Sequence, residues 1–202
     1  MDTAIVYYSK YGHTKKYAEM LQKRLLCDIY EVDDFNAKLA KKYKNIFYGS
    51  SIRANKILKI SKFFKEIKDE KNFNIFIFAD GLSTIQYDDL LREMVIAYSD
   101  LSDKHVRLFL LPGGFSFDLL HKKDKLIFSI IKKTTTKDKN SAGNINLLMK
   151  GIDLVKEENL NYMIDRFYKT KIWFLLSNFI KNVMHRVKSM EMSLELKSFD
   201  ID

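Results

Sequence analysis

The segment from Ser9 to Thr14 carries the residue types best suited to bind a ligand. It reads Ser9-Lys10-Tyr11-Gly12-His13-Thr14. The hydroxyl groups at its two ends are hydrogen-bond donors, and the glycine allows the backbone to come close to an anion. A helix that begins at Thr14 has first N–H groups without a partner inside the helix, and these point at the same anion. Together these features predict a site for a phosphate group.

A strand and a helix flank this segment and must hold it in place. The apolar run Ala4–Tyr8 is rich in β-branched and aromatic residues, which predicts a strand. From Thr14 onward, Tyr17 and Leu21 follow helical spacing. The glycines do not follow the dinucleotide pattern G-x-G-x-x-G, and no Walker-type Gly-Lys-Ser/Thr is present. An ordinary strand, turn and helix without a ligand is the alternative.

This strand, loop and helix resemble the FMN phosphate loop of the flavodoxin family. Eight positions fit the family pattern: Ile5, Val6, Tyr7, Ser9, Gly12, Thr14, Ala18 and Leu21. The resemblance implies that FMN is the cofactor. It also implies that the residues at the FMN phosphate are those of the loop, namely Ser9, Lys10, Tyr11, Gly12, His13 and Thr14.

Strand and helix patterns keep alternating after the first helix. They predict strands at 28–32, 45–48, 73–79 and 106–111, and helices at 57–67 and 90–101. This alternation predicts an α/β, flavodoxin-like fold with a five-stranded parallel sheet wound on both faces, in the order 2-1-3-4-5. Such sheets bind ligands beyond the carboxyl ends of their strands, where the order reverses. The loops after the first, third and fourth strands should therefore meet at one site.

The loop after the third predicted strand, residues 49–56, carries hydroxyls, an amide and two cations. We predict that it contacts the flavin ring through Ser50, Ser51, Ile52, Arg53 and Asn55. Arg53 or Lys56 near the pyrimidine end of the ring would stabilise negative charge on the reduced flavin. Arg53 is therefore the candidate catalytic residue. A helix start with hydroxyl caps accounts for part of the same pattern.

The loop after the fourth predicted strand is the third part of the expected site. Asp80, Gly81 and Leu82 open it, and Gly81 permits a turn that aims backbone amides at a ligand. Tyr87 is a candidate for stacking on the ring, and an exposed tyrosine that leads a helix is the alternative. No metal site is predicted, because the four histidines lie singly, without the spacing of metal ligands.

A basic helical insertion at about 116–150 separates the fifth predicted strand from a closing helix. Together with the loop after the third strand, this insertion resembles the menaquinone-dependent protoporphyrinogen IX dehydrogenases, a flavodoxin-like branch. The loop residues that match are Gly49, Ser51, Ile52 and Arg53. Phe115, Phe117 and His121 stand approximately where that branch has aromatic and arginine residues.

This second resemblance implies an FMN-dependent oxidoreductase of heme biosynthesis, which passes electrons from a reduced tetrapyrrole through FMN to a quinone. A flavodoxin-type electron-transfer protein that serves redox partners is the alternative. Electron-carrying flavodoxins are commonly acidic, whereas this chain has a net charge of +9. A binding module that kept the fold and lost catalysis is a third hypothesis. The expected partners are thus a small redox substrate, a tetrapyrrole or quinone, or a redox protein.

The positive charge is concentrated in two segments. Residues 36–71 hold eleven Lys or Arg against three acids, and residues 116–140 hold seven Lys against three acids. A solvated lysine-rich surface or an anionic partner, such as a membrane face or a polycarboxylate, explains this bias. No nucleic-acid partner is predicted, because no nucleic-acid motif accompanies the charge. One cysteine, Cys27, no secretory leader and no bilayer-length apolar run predict a cytoplasmic protein, with peripheral contact to the inner membrane face as an option.

Two parts of the chain are expected, a flavodoxin-like FMN-binding domain at 1–168 and a C-terminal extension at 169–202. The apolar residues of the extension recur at three- and four-residue steps: Trp173, Leu176, Ile180, Val183 and Val187. This spacing predicts an amphipathic helix. Such a helix could pack on the domain, form a homodimer or lie on a membrane surface.

Overall fold

The computed structural model describes residues 2–53, 56–68, 74–82, 105–135 and 148–198. The chain divides into two compact units, residues 1–160 and 161–202. The strands are β1 (Thr3–Tyr8), β2 (Asp28–Glu31), β3 (Asn45–Arg53), β4 (Lys56–Ile57), β5 (Asn74–Gly81), β6 (His105–Pro112), β7 (Gly114–Phe115) and β8 (Ile152–Asp153). The helices are α1 (His13–Leu25), α2 (Ala37–Ala40), α3 (Ile60–Ile67), α4 (Lys122–Thr135) and α5 (Asn161–Ser198), with a 3₁₀ helix at Glu157–Leu160.

A parallel sheet in the order β2-β1-β3-β5-β6 forms the centre of the first unit. Ala4 of β1 lies opposite Asp28 of β2 on one side and Ile46 of β3 on the other. Counted along the chain, the five parallel strands have the order 2-1-3-4-5, so the predicted fold class is confirmed. The carboxyl ends of β1, β3 and β5 are neighbours, with Ser51 opposite Asp80. This is the edge at which a doubly wound sheet binds its ligand.

The central strands are apolar because both faces of the sheet are covered. Residues 75–79 of β5 are fully buried. On one face, Tyr48 stacks on Phe63 of α3, with 4.5 Å between the ring centroids. On the other face, Phe47 stacks on Phe76 at 4.8 Å. Helix α1 contacts β1, β3 and β5, so the strand that precedes the Ser9–Thr14 segment and the helix that follows it are both anchored in the core.

The end of the third strand differs from its prediction. Residues 49–53, predicted as part of a loop, continue β3, because the strand stays paired with β1 as far as Ser50 and with β5 as far as Ser51, and its last two residues pair with β4. The chain then returns in β4, where Ile57 pairs antiparallel with Ile52. Helix α3 accordingly begins at Ile60 and not at 57. The predicted helix at 90–101 lies outside the described residues.

A short sheet flanks the predicted insertion, and the insertion itself contains a helix. Beyond β6, strand β7 pairs antiparallel with β8, with Phe115 opposite Ile152. Helix α4 lies within the predicted insertion and carries exposed lysines, but its residue Asp124 is only 9% exposed. A buried carboxylate among lysines requires partners, and these belong to the site described below.

The second unit is α5, which runs without interruption from Asn161 to Ser198. The domain boundary predicted between residues 168 and 169 falls inside this helix. Large apolar side chains between Ile172 and Met184 are exposed. Among the helices of the described residues, none combines the length and apolar character that crossing a membrane requires.

Candidate functional site

A cavity of about 400 Å³ opens at the carboxyl ends of β1, β3 and β5. This volume is within the usual range for small-molecule and cofactor sites. Three regions of the chain line the cavity: the Ser9–Thr14 segment, the ends of β3 and β5, and the insertion. Residues predicted from the sequence that line it are Ser9, Lys10, Tyr11, His13, Thr14, Ser51, Ile52, Arg53, Asp80, Gly81 and Leu82.

The Ser9–Thr14 segment forms a tight turn ahead of α1. The Gly12 N–H donates to Ser9 Oγ at 3.1 Å, which closes the turn. Gly12 has a φ of +92°, in the left-handed region that favours glycine, and an added Cβ would meet open space. Gly12 is also the N-cap residue of α1, and no side chain of the described residues caps this end of the helix. The first N–H groups of α1 are therefore available to an anion, as predicted for a phosphate loop.

Strand β7, just ahead of the insertion, lies directly against this loop. A Cβ added to Gly114 would overlap the imidazole of His13 and would lie 2.8 Å from the Ile152 oxygen. Only glycine fits between the two. The close approach brings Phe115 and Ser116 to the cavity wall. His13 is the first residue of α1, and its ring packs against Gly114 of β7.

Thr14 has a hydrogen-bond partner that the sequence did not indicate. Its hydroxyl donates to Asp80 Oδ1 at the end of β5, at 2.5 Å. Both residues are buried, with Thr14 1% and Asp80 3% exposed. Burial raises the pKa of Asp80, and the Thr14 hydrogen bond opposes that rise. The Thr14 hydroxyl is therefore occupied by Asp80, which leaves the Thr14 backbone N–H for an anion.

The Asp80→Asn substitution is expected to raise the melting temperature at pH 7 and to have little effect at pH 4. The folded-state pKa of Asp80 lies above the unfolded value of about 3.9. When the pKa of a group is higher in the folded state than in the unfolded state, its contribution to stability is fully present at pH values below the unfolded-state pKa. This contribution is lost as the pH rises through the folded-state pKa. The amide oxygen of the variant can still accept the Thr14 hydrogen bond, and the variant has no charge to bury. For a chain of this size, each kcal/mol gained corresponds to roughly 2–4 °C.

Thermal unfolding followed by circular dichroism at the two pH values measures this difference. Asp153→Asn is the matched control, because Asp153 pairs with Lys16 at 2.5 Å but is 46% exposed. Exposed ion pairs contribute little to stability, so the control should change the melting temperature only slightly at either pH. A lower melting temperature for Asp80→Asn at pH 7 would show that the charged carboxylate is stabilised where it lies.

Asp124 of α4 binds side chains from two of the three regions that line the cavity. Lys10 Nζ lies 2.5 Å from Asp124 Oδ2, and Arg53 Nη2 lies 2.5 Å from Oδ1. The Tyr11 hydroxyl also donates to Asp124. These donors, Lys10 foremost, hold the pKa of Asp124 well below its usual range. We call Lys10, Tyr11, Arg53 and Asp124 the Asp124 cluster.

The insertion also gives the cavity an apolar wall. Leu120, Ile127 and Phe128 line it together with Phe115. The Phe128 ring packs against Phe115, with 5.0 Å between centroids. Apolar and aromatic walls with a few fixed polar groups are typical of sites for planar organic cofactors and substrates.

Four of the predicted site residues are not among the lining residues, and the structure describes two of these, Gly12 and Ser50. Gly12 shapes the loop but is not a lining residue. Ser50 is fully buried in β3, and its hydroxyl is one of the buried side-chain groups without a hydrogen-bond partner among the described residues. Asn55 and Tyr87 lie outside the described residues. Tyr87 as a stacking residue and Asn55 as a flavin contact therefore stay predictions.

Sequence reasoning missed Asp124 and the lining residues Leu58, Gly114, Ser116, Leu120, Ile127 and Phe128. One signal for Asp124 was present. It lies three and four residues before Ile127 and Phe128, so it shares a helix face with apolar residues that line the cavity. A lone carboxylate on the apolar face of a lysine-rich helix indicates a buried ion pair. Its partners, more than seventy positions away along the chain, could not be identified this way.

The sequence profile of the flavodoxin domain matches residues 4–142. No curated protein matches the chain significantly in sequence. Among solved structures, the chain is similar to a flavodoxin from the domain Archaea, with 23% identity over 55% of this chain and 83% of that one, at a TM-score of 0.40. It is also similar to oxidised flavodoxin 2 from Bacillus cereus, with 14% identity over 55% of this chain and 86% of that one, at a TM-score of 0.42.

Proposed function

The chain belongs to the flavodoxin domain family, and on that premise we propose that it is an FMN-dependent oxidoreductase. The observation that carries the proposal is the position of the cavity. It lies at the carboxyl ends of β1, β3 and β5 and has an uncapped helix terminus on one side and apolar walls on another. The uncapped helix terminus suits a phosphate, and the apolar walls suit a planar ring. Bound FMN would supply the hydride and electron transfer.

The residues of this chain fit FMN in separable roles. The backbone N–H groups of the Ser9–Thr14 segment would hold the phosphate, and the ends of β3 and β5 would flank the ring. Ser51 and Ile52 line the cavity from β3, and Gly81 and Leu82 line it from β5. Lys10 and Arg53 place two positive charges in the same cavity. A fixed cation near the ring favours the reduced, negatively charged cofactor, which is the protein's part in the chemistry.

The insertion supports an enzyme with an organic substrate more than a carrier of single electrons. Its residues Leu120, Ile127 and Phe128 add an apolar wall that a phosphate and ribityl chain do not need. We propose that this wall receives a reduced tetrapyrrole as electron donor, with a quinone as acceptor, in the manner of the protoporphyrinogen dehydrogenases that the sequence resembles. The lysines of α4 and the net charge of +9 would attract substrate carboxylates.

Anaerobic reduction of the FMN-loaded chain tests the proposed reaction. Protoporphyrinogen IX is expected to bleach the flavin absorbance, and added menaquinone is expected to restore it. Photochemical reduction of the same sample serves as the control for a functional flavin. The flavodoxin-type electron carrier would be favoured by a different result: the flavin is reduced by light but not by a porphyrinogen, and it exchanges electrons rapidly with a redox protein. A chain that takes up no FMN would contradict both functions and favour a binding module.

A further inference from the structure

The middle of α5 has a charge composition unlike the rest of the chain. Between positions 166 and 190 the sequence contains no aspartate or glutamate. The cations in this stretch are Arg166, Lys169, Lys171, Lys181, Arg186 and Lys188. This stretch holds six cations and no acid, although acids make up 26 of the 202 residues of the chain. Asp165, just before it, pairs with Lys169 at 2.8 Å, and the other cations have no acidic neighbour within the stretch. Such a segment is complementary to a densely anionic partner.

The same part of α5 exposes large apolar side chains. The exposed residues are Ile172, Trp173, Leu175, Leu176, Phe179, Ile180, Val183 and Met184, at 41–75% of their surface. At 100° per residue, all eight fall within one half of the helix circumference. Lys171, Ser177, Asn178, Lys181 and Asn182 fall in the other half, together with one apolar residue, Phe174. We call the apolar half the 172–184 face.

We propose that the 172–184 face binds the surface of an anionic lipid bilayer, with α5 lying parallel to the membrane plane. An apolar half-cylinder with tryptophan and flanking lysines is the pattern of helices that lie in the membrane interface. The segment is far shorter than the about 20 residues that crossing a bilayer requires. It therefore suits insertion of its apolar side chains at headgroup level, with the cations among anionic lipids.

Charge decides against a second copy of the chain as the occupant. Two copies joined through the 172–184 face would combine two segments, residues 166–190 of each copy, that each hold six cations and no acidic residue. Like charges so placed repel each other. Anionic lipids offset the same cations, and they also receive the apolar side chains. The membrane surface thus fits both halves of the helix.

Co-sedimentation with vesicles and tryptophan fluorescence test this proposal on the full chain. Trp173 is the one tryptophan of the protein, so its emission reports on this face alone. Vesicles of phosphatidylcholine with phosphatidylglycerol are expected to bind the chain and to shift the Trp173 emission to shorter wavelength. Vesicles of phosphatidylcholine alone should bind it at least about tenfold more weakly. FMN affinity, measured on the same samples, reports separately on the proposed function.

Matched substitutions distinguish vesicle binding by the 172–184 face from nonspecific adsorption of the protein to vesicles. Phe179→Glu places a carboxylate in the 172–184 face and is expected to lower the vesicle-bound fraction at least about tenfold. Leu26→Glu is the control, because Leu26 is 74% exposed but follows α1 and lies outside α5. It should bind vesicles as the unchanged chain does. Equal loss in both variants, no binding to anionic vesicles, or a dimer that shields Trp173 without lipid would each overturn the proposal.

Discussion

Replacement of Ser9 by aspartate is expected to raise the dissociation constant of FMN about 100-fold. Ser9 lines the cavity, and its Oγ accepts the Gly12 N–H that closes the loop. An aspartate oxygen can accept the same hydrogen bond, so the loop is expected to keep its shape. The added negative charge then lies beside the FMN phosphate. Two like charges about 4 Å apart repel by about 4 kcal/mol at an effective dielectric constant of about 20, more than the about 2.7 kcal/mol of a 100-fold change.

Two controls assign this effect to charge at the phosphate. Ser9→Asn has nearly the same shape as the aspartate variant and no charge, and its dissociation constant should rise less than about tenfold. Riboflavin lacks the phosphate, so its affinity should be similar in both variants. Fluorescence quenching of either flavin gives the constants. Equal FMN affinities for the aspartate and asparagine variants of Ser9 would mean that the phosphate does not lie at this loop.

Removal of the Asp124 charge is expected to tighten FMN binding about tenfold while lowering the stability of the unliganded chain. The cavity holds two cations, Lys10 and Arg53, and two carboxylates, Asp80 and Asp124, so its charges nearly cancel before a phosphate dianion enters. Asp124→Asn keeps the shape of the side chain and removes one opposing charge. A tenfold gain in FMN affinity corresponds to about 1.4 kcal/mol. This is less than the about 4 kcal/mol of two unit charges about 4 Å apart at an effective dielectric constant of about 20.

The opposite signs of the two effects make this prediction specific. Without Asp124, the Lys10 and Arg53 charges lose their partner, and the unliganded protein should unfold at a lower temperature. Asp153→Asn is the control, because it removes an equally short ion pair with Lys16, and neither residue lines this cavity. It should leave FMN affinity unchanged. Weaker FMN binding by Asp124→Asn would show that Asp124 positions the two cations for the cofactor instead of competing for them.

The phosphate loop could be predicted from sequence because its geometry is local. The Ser9–Gly12 hydrogen bond spans three residues, and the positive φ of Gly12 follows from the residue type. The strand order also follows from local patterns, since alternating strands and helices permit few connections. Neither prediction required knowledge of an individual contact between distant side chains.

The wall formed by the insertion could not be predicted in this way. Lys10 and Asp124 are 114 positions apart, and no periodicity links them. The extension of β3 to Arg53 was missed for a related reason. Ser50 and Ser51 interrupt an apolar run, but hydrogen bonds to the neighbouring strands β1 and β5 outweigh their low strand propensity. Antiparallel pairing with Lys56 of β4 extends the strand to Arg53, which therefore reaches the cavity from a strand end and not from a loop.

The Thr14 hydroxyl has a different partner in the structure from the phosphate that the sequence suggested. The residue type suggested a donor to phosphate, but Asp80 lies within hydrogen-bond distance and is buried beside it. A buried carboxylate requires a donor, so the Thr14 hydroxyl satisfies Asp80 first. Phosphate recognition then depends on backbone N–H groups, which substitutions other than proline leave in place.

A crystal structure of the chain grown with FMN tests the central claim most directly. The phosphate is expected within hydrogen-bond distance of the backbone N–H groups of residues 9–14. The ring is expected in the cavity between the ends of β3 and β5, alongside the wall that contains Phe115 and Phe128. An FMN-grown crystal in which this cavity is empty, with the Asp124 cluster closed across it, would contradict the redox assignment and leave the fold alone standing.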